Sequence, residues 1–545
     1  MTILQYLVAL SPVFLVLLLL VILRMPATRS MPLAFIIHAA LAYMIWKMPG
    51  LQIAAATIDG FIIAASLLWV IFGAILLLNI QRASGAIDTI SHFFTSISPD
   101  RRVQVILIAW LFGAFLEGCT GFGAPAAITA PLLVGLGFPP IAAVVMALIS
   151  NTFPVIYGSV GLTFFVGIGQ GLQQGGVLPP VVQNYLGSMP LADYLNMISI
   201  KSALLIWIPC TLLPLMLVIM LTRFWGANKS WKEGLGLWKF ALTSGFVYGG
   251  FAFLIAWVLG PEFPALLGSM LSLAVMVILV KKKIFIPETA WDFAGHQESA
   301  ASPVKPDLKY STTRAMLPYL IVTIILILTR LSFLPFMEWL NIPQLGLAKI
   351  FGTQISSFFA PIYSPGAIFT ITALMSLFIL KMDWAEIKTA LNASGKSILS
   401  STIALGTSIP MVRIFIHSSV NSIDLDSMPI ELANSMASQL GAVWTLVSPF
   451  IGSLGIFISG STTISNLMFS LMQFSAAIEN NLDPLLINSL QLIGAAIGKM
   501  ICIVSVVAAS STVNLYGEEG RIIRMTMLPS IIFCLMVGLL ALLFF

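Results

Sequence analysis

The sequence predicts an all-α, polytopic membrane protein, and three observations predict it. Of 545 residues, 59% are hydrophobic and only 9% charged, where a soluble domain carries roughly 25% charged residues. Mean hydropathy is +1.02. Charge-free apolar windows recur along the whole chain, and hydrocarbon requires backbone groups to be satisfied within helices. This composition excludes a soluble enzyme. The net charge of +5, from 26 Lys+Arg against 21 Asp+Glu, is small, and the basic residues lie between apolar windows as the positive-inside rule expects, so no nucleic-acid partner is implied. Cys119, Cys210, Cys502 and Cys534 lie far apart in apolar segments and point to neither disulfides nor a metal site.

Taken in order, windows that approach the roughly 20 residues needed to span fall at 3–24, 31–48, 53–80, 103–117, 141–167, 200–222, 236–259, 263–280, 316–334, 366–382, 397–416, 438–457, 484–509 and 525–545. That makes about fourteen. The first has no basic segment ahead of it and no cleavage site, and is expected to be a retained span instead of a signal peptide. Two stretches, 118–138 and 452–473, are too polar and Gly-rich for ordinary spans and are expected to be re-entrant. The second contains Ser459-Gly460-Ser461-Thr462-Thr463-Ile464-Ser465-Asn466.

The loop 281–314, with Lys281-Lys282-Lys283, Lys305, Lys309 and Arg314, is expected to be a cytoplasmic linker between two halves. Arg24, Arg29, Arg82, Arg101, Arg102, Lys381, Lys388 and Lys396 mark other cytoplasmic loops, and Asp424, Asp426 and Glu431 the opposite face. One conflict stands: three crossings between Arg102 and Arg223 put Arg223, Lys229 and Lys232 on the wrong face. The expected remedy is an extra crossing from a break at Asn151-Thr152-Phe153-Pro154.

An internal repeat organises the chain. The first unit runs from Arg82 through a span to Glu117-Gly118-Cys119-Thr120-Gly121, then to Pro139-Pro140 opening a helix interrupted near Ser150-Asn151-Thr152. The second runs from Arg413 through a span to Ser459-Gly460-Ser461-Thr462, then to Asp483-Pro484 opening a helix with Gly494 and Gly498-Lys499. Gly-interrupted segments in corresponding places of two halves are the pointer to a secondary transporter built from inverted repeats with re-entrant hairpins and broken helices; tight helix packing by small residues is the plainer alternative. The expected division is 1–80 N-terminal helices, 81–222 first repeat, 223–280 connecting helices, 281–314 linker, 315–396 helices leading into the second half, and 397–545 second repeat.

Such an architecture favours an anion. A half-helix that ends inside the membrane presents unpaired N–H groups and the positive end of its dipole, and so receives a carboxylate without needing a full positive charge. Gly118 and Thr120 at the first tip, Asn151 and Thr152 at the first broken helix, and Gly460, Ser461, Thr462, Thr463 and Asn466 at the second tip are the expected substrate contacts. Each hydroxyl alone reads equally as a cap or a back-bonded packing residue; the cluster is the signal.

The run Gly113-Ala114-Phe115-Leu116-Glu117-Gly118-Cys119-Thr120-Gly121-Phe122-Gly123-Ala124-Pro125-Ala126-Ala127-Ile128-Thr129-Ala130, continuing through Leu133 to Phe138, resembles the signature of the bacterial L-lactate permease family. Ser98-Pro99-Asp100-Arg101-Arg102 before it, Asn151-Thr152-Phe153-Pro154 after it, and Pro449-Phe450-Ile451-Gly452 and Gly498-Lys499-Met500 near the C-terminus support the resemblance. The pattern differs at Cys119-Thr120, where small residues are usual, and at Thr463, where an acidic residue often follows Gly-Ser. The resemblance implies a cell-membrane importer of lactate, or of glycolate in some branches, by proton symport. Its partners would be a small 2-hydroxy monocarboxylate, a proton and the bilayer, with a homo-oligomer left open.

Charges inside apolar windows carry the remaining expectations. Glu117 stands at a span-to-hairpin junction, where a carboxylate costs several kcal/mol unless it is paired, hydrated or protonated, and is expected to carry the proton; a helix-capping role is the alternative. Lys499 is expected either to face the substrate or to pair with Glu117. Asp59 is the second proton-relay candidate, and His38 a packed residue satisfied by a neighbour. Arg82, Arg330 and Arg413 near span ends are expected to snorkel, and His417 to sit at the surface; His92 and His296 carry no signal. Gly494–Lys499 lacks the spacing of a phosphate loop, so neither ATP nor another cofactor is implied, and no paired aspartates or H-E-x-x-H motif marks an embedded enzyme. A sodium-coupled carboxylate transporter and, behind it, an anion channel remain the alternatives.

Overall fold

The computed structural model describes every residue except 17, 20–22, 24, 122, 123, 175, 294–308, 331–333, 516, 517 and 545. Arg24, Phe122, Gly123, His296 and Lys305, and so one side of the first hairpin tip and the middle of the linker, lie outside the described residues, as does the side chain of Arg330. The chain is helical nearly throughout, with one antiparallel ribbon pairing Leu345–Leu347 with Ser357–Phe359. Among the described residues seven helices are long and apolar enough to cross a membrane, and one bent pair makes an eighth candidate.

Two sets of elements follow each other in the same order. The first has a long helix (Gly50–Ala83), a short one (Ala86–Thr95), a hairpin (Arg101–Cys119 and Ala124–Gly135), a broken helix (Pro140–Ser150 and Pro154–Gly169) and a closing helix (Leu191–Trp225). The second has a long helix (Trp384–Ile416), a short one (Met428–Leu440), a hairpin (Trp444–Ser459 and Thr462–Glu479), a broken helix (Pro484–Ile497, a 3-10 turn Gly498–Ile501, and Ile503–Ser511) and a closing helix (Glu519–Phe544). Local signals start several of these. Asp383 and Glu386 form a capping box, Asp483 caps the helix that Pro484 opens, and Pro140 occupies the first helical turn, where a missing N–H costs nothing.

The hairpins are wider than the stretches 118–138 and 452–473. The windows 103–117 and 438–457, expected to span, instead supply first arms. Arg101 stands 6.0 Å from the Phe138 ring and its N–H donates to Trp291 O, while Phe138 and Trp291 both pack on Phe293; both ends of 101–138 therefore lie on one face. In the second hairpin, Trp444 Nε1 donates to Gln473 Oε1 (2.8 Å) and Ser465 Oγ to Gly452 O (2.9 Å), as antiparallel arms require. Hydropathy cannot separate a hairpin arm from a crossing, because both are surrounded by apolar groups.

That geometry also corrects the crossing count. Arg102 Nη1 donates to Glu233 O (2.5 Å), and Trp291 Nε1 to Glu233 Oε2 (2.7 Å), so the end of the Leu191–Trp225 helix shares a face with Arg102. The break at Asn151–Phe153 bends its helix by 55° but adds no crossing. The hairpin removes one: it returns, the broken helix crosses, and the closing helix crosses back. Arg223, Lys229 and Lys232 thus join Arg101, Arg102 and Lys281, as the positive-inside rule expects.

The two long helices pack antiparallel against each other. Gly60 lies against Pro410 with no room for a Cβ, and Asn79 Nδ2 donates to Ser394 Oγ (3.0 Å). Close backbone approach through small residues is the usual device where lipid removes the hydrophobic drive between helices.

Candidate functional site

The end of the first hairpin's leading arm, the second hairpin tip and the two helix breaks converge on a narrow chamber with a cavity volume of about 20 Å³. It is lined by Glu117, Val155, Gly158, Ser159 and Thr163 from the first repeat and Ser461, Thr462, Thr463 and Lys499 from the second.

Each break has a local cause. In the first, Pro154 opens a 3-10 turn (Pro154–Tyr157), after which Ser159, Val160 and Gly161 adopt φ values of 48°, 57° and 72°. Two consecutive non-glycine residues in the left-handed region, one of them β-branched, mark stored strain of the kind that collects at functional sites. In the second, Gly498–Ile501 tightens to 3-10 and Cys502 turns extended. At the second tip Gly460, with φ 76°, ends one arm and Ser461 begins the other.

Glu117 is fully buried. Its Oε2 accepts from Asn151 Nδ2 (2.9 Å), while its Oε1 has no hydrogen-bond partner. Gly158 makes room for that oxygen: a Cβ there would overlap Oε1. Lys499 is 3% exposed and makes no hydrogen bond or ion pair among the described residues. The expected alternative of a Lys499–Glu117 ion pair is therefore not what the structure contains. On the same chamber opens the first turn of Thr462–Glu479, whose N–H groups no side chain caps, and Thr462 Oγ1 is buried without a partner. An uncapped helix N-terminus and an unpaired ammonium on one chamber have the chemistry to receive an anion.

Not every expected contact reaches the chamber. Glu117, Ser461, Thr462, Thr463 and Lys499 line it, and Asn151 stands behind Glu117. Thr120 Oγ1 bonds back to Leu116 O (2.8 Å) and its carbonyl accepts from Ser159 Oγ (2.9 Å). Thr152 Oγ1 likewise bonds to Ile149 O (2.8 Å). Gly118 is a packing glycine, since a Cβ would come 2.6 Å from Leu266 N, and Gly460 lies under Val504. Asn466 is buried against Gly167, its Oδ1 3.5 Å from Gln491 Nε2 and its Nδ2 without a partner. Val155, Gly158, Ser159 and Thr163 were not expected; the small-residue run Gly158-Ser159-Val160-Gly161 was the available signal.

Asp59 lies elsewhere. Its Oδ2 meets Arg413 Nε (2.5 Å) and His417 Nε2 (2.9 Å), and Arg413 Nη1 donates to Gln170 O (2.8 Å) at the end of the first broken helix. All three side chains are buried. Arg413 therefore does not snorkel and His417 is not at the surface. Their i, i+4 spacing gave a hint of one shared face, but the carboxylate that holds them is 354 residues away. His38 is packed as expected, with Ser11 Oγ 2.8 Å from its Nδ1. The four cysteines are free and buried, and among the described residues no three His, Cys, Asp or Glu side chains gather to hold a metal ion.

Comparison with known proteins agrees with the early resemblance. A family model described as L-lactate permease matches residues 5–545. A putative L-lactate permease of Haemophilus influenzae is 31% identical, covering 89% of this chain and 88% of the relative. The L-lactate permease of Bacillus subtilis is 29% identical, with 91% and 88% covered. Glycolate permease GlcA of Escherichia coli is 28% identical, with 99% and 95% covered. Among solved structures, the YdaH transporter of Alcanivorax borkumensis aligns over 87% of this chain and 84% of that one, at 13% identity and a TM-score of 0.38.

Proposed function

Because the chain belongs to the L-lactate permease family, we propose that this multi-pass protein of the cell membrane imports L-lactate or a related 2-hydroxy monocarboxylate, glycolate included, and that one proton enters with each anion. The observation that carries the reading is the chamber itself: a buried carboxylate with one free oxygen faces an unpaired lysine and an uncapped helix N-terminus. In this reading Lys499 and the N–H groups at Thr462 and Thr463 hold the substrate carboxylate, and Glu117, steadied by Asn151, takes the proton. The relatives' names support lactate and glycolate as cargo.

The proton has an electrical purpose. Moving an anion inward against an interior-negative potential costs about 2.3 kcal/mol per 100 mV for each elementary charge, and a proton carried on Glu117 cancels that cost. Asp59 is a weaker carrier in this structure, because protonating it would leave Arg413 buried without its counter-ion.

Uptake of labelled lactate and glycolate into proteoliposomes, with a pH gradient or a sodium gradient applied separately, tests the reading. Accumulation with the pH gradient alone is expected; accumulation that needs sodium would transfer the assignment to the sodium-coupled alternative. Glu117→Gln, a mimic of the protonated acid, should keep substrate exchange and lose accumulation driven by the pH gradient. Lys499→Ala should instead weaken binding by roughly tenfold or more, the scale of one lost charge-assisted hydrogen bond. Should Glu117→Gln still accumulate substrate on a pH gradient alone, the proton rides on another group.

A further inference from the structure

Resting on the function proposed above, we propose that Val155 sets which 2-hydroxy acid the chamber accepts, by forming the wall that meets the substituent on the substrate's α-carbon. A 2-hydroxy monocarboxylate presents a carboxylate, a hydroxyl and that substituent, which is hydrogen in glycolate and methyl in lactate. The first two seek hydrogen-bonding partners; the third cannot use one. Of the nine described residues that line the chamber, seven carry polar or charged side-chain atoms and Gly158 has no side chain. Val155 is the remaining one.

The backbone holds Val155 in that position. A 3-10 turn has three residues per turn, so successive side chains point about 120° apart. Around this turn, Phe153 is sealed against Phe533 at 5.3 Å between ring centroids, Ile156 is fully buried, and Tyr157 is fully buried with its hydroxyl donating to Ser199 O (2.8 Å). Val155, 4% exposed, is the side chain this turn gives to the chamber. β-branching fixes its χ1, so the wall is stiff. It shares the chamber's lining with Glu117 on the first hairpin arm and with Ser159 in the left-handed segment, and both of these are held, Ser159 Oγ on Thr120 O and Glu117 by Asn151.

One methylene against such a wall is worth about ten- to two-hundredfold in selectivity. The test compares glycolate, L-lactate and L-2-hydroxybutyrate in one proteoliposome preparation of each protein, by uptake and by competition. Val155→Ala is expected to raise 2-hydroxybutyrate relative to lactate at least tenfold, and Val155→Ile to lower lactate relative to glycolate by a similar factor. Ratios between substrates do not depend on the fraction of protein that folded, so reduced expression does not obscure the result. If all three acids change by one common factor in both variants, Val155 is packing and the assignment is wrong, while the proposed function stands. If the unsubstituted protein takes up none of the three under any gradient, the function falls and this inference with it.

Discussion

Glu117 is held by contacts that each do a separate task. Asn151 engages one carboxylate oxygen, and the missing side chain at Gly158 leaves the other facing the chamber. Glycine is required here by space; φ is not the reason, since Gly158 lies in the extended region. A methyl group at this position must push the carboxylate away or shift the 3-10 turn, and overpacking of a tight interior typically costs about 1–3 kcal/mol. Gly158→Ala should therefore lower pH-driven accumulation at least tenfold while the detergent-purified protein still binds lactate with reduced affinity. Isothermal titration beside proteoliposome uptake checks both halves. Wild-type accumulation in this variant would mean that the free oxygen is not the working one. Glu117 and Lys499 were legible in the sequence because charge inside an apolar window is expensive and therefore conspicuous. Gly158 was not, since nothing in a one-dimensional pattern shows which carboxylate a glycine faces.

Elements set where these residues meet, and here the sequence was informative in part. Gly-rich interruptions marked both hairpins, and prolines marked the starts of both broken helices. The arms were harder to read. A segment such as Arg101–Cys119 has the length and hydropathy of a span, and only the contact of Arg101 with Phe138 shows that the chain turns back. The contact between the long helices was hidden for a similar reason: Asp59 and Arg413 each read as a lone charge until folding brought them together. Their ion pair ties Gly50–Ala83 to Trp384–Ile416, and Arg413 carries the link on to Gln170. Breaking a buried pair by removing one partner typically costs about 3–5 kcal/mol, much of it from the charge left behind. Asp59→Asn and Arg413→Leu should each lower the thermal unfolding temperature substantially, and the double substitution should lower it by clearly less than the sum of the two. Additive losses would mean that the two charges are not coupled in the folded protein.

At the scale of the whole molecule, opposite orientation of the two repeats gives the chamber its chemical asymmetry. The first hairpin approaches from the face carrying Arg101, Arg102 and Lys281, and the second from the face where Tyr185 OH meets Asp483 Oδ1 at 3.0 Å. The first contributes the buried acid Glu117, and the second contributes Lys499 and the helix N-terminus at Thr462, so neither half alone supplies both. This arrangement fixes a pattern of accessibility that a conventional count of crossings does not share. Ser96, Gly135 and Lys232 are exposed on one face, and Ser188 and Ser422 on the other; a Cβ at Gly135 meets open space. The four native cysteines are buried, so single introduced cysteines can be read against a low background. A membrane-impermeant maleimide applied to intact cells should label Ser188→Cys and Ser422→Cys. Ser96→Cys, Gly135→Cys and Lys232→Cys should react only after permeabilisation, because basic loops remain in the cytoplasm. Gly135 is the decisive position: if the segment 101–119 crossed the membrane, Gly135→Cys and Ser96→Cys would part company, and labelling of Gly135→Cys from outside would replace the hairpin with a span and open the chamber's first wall.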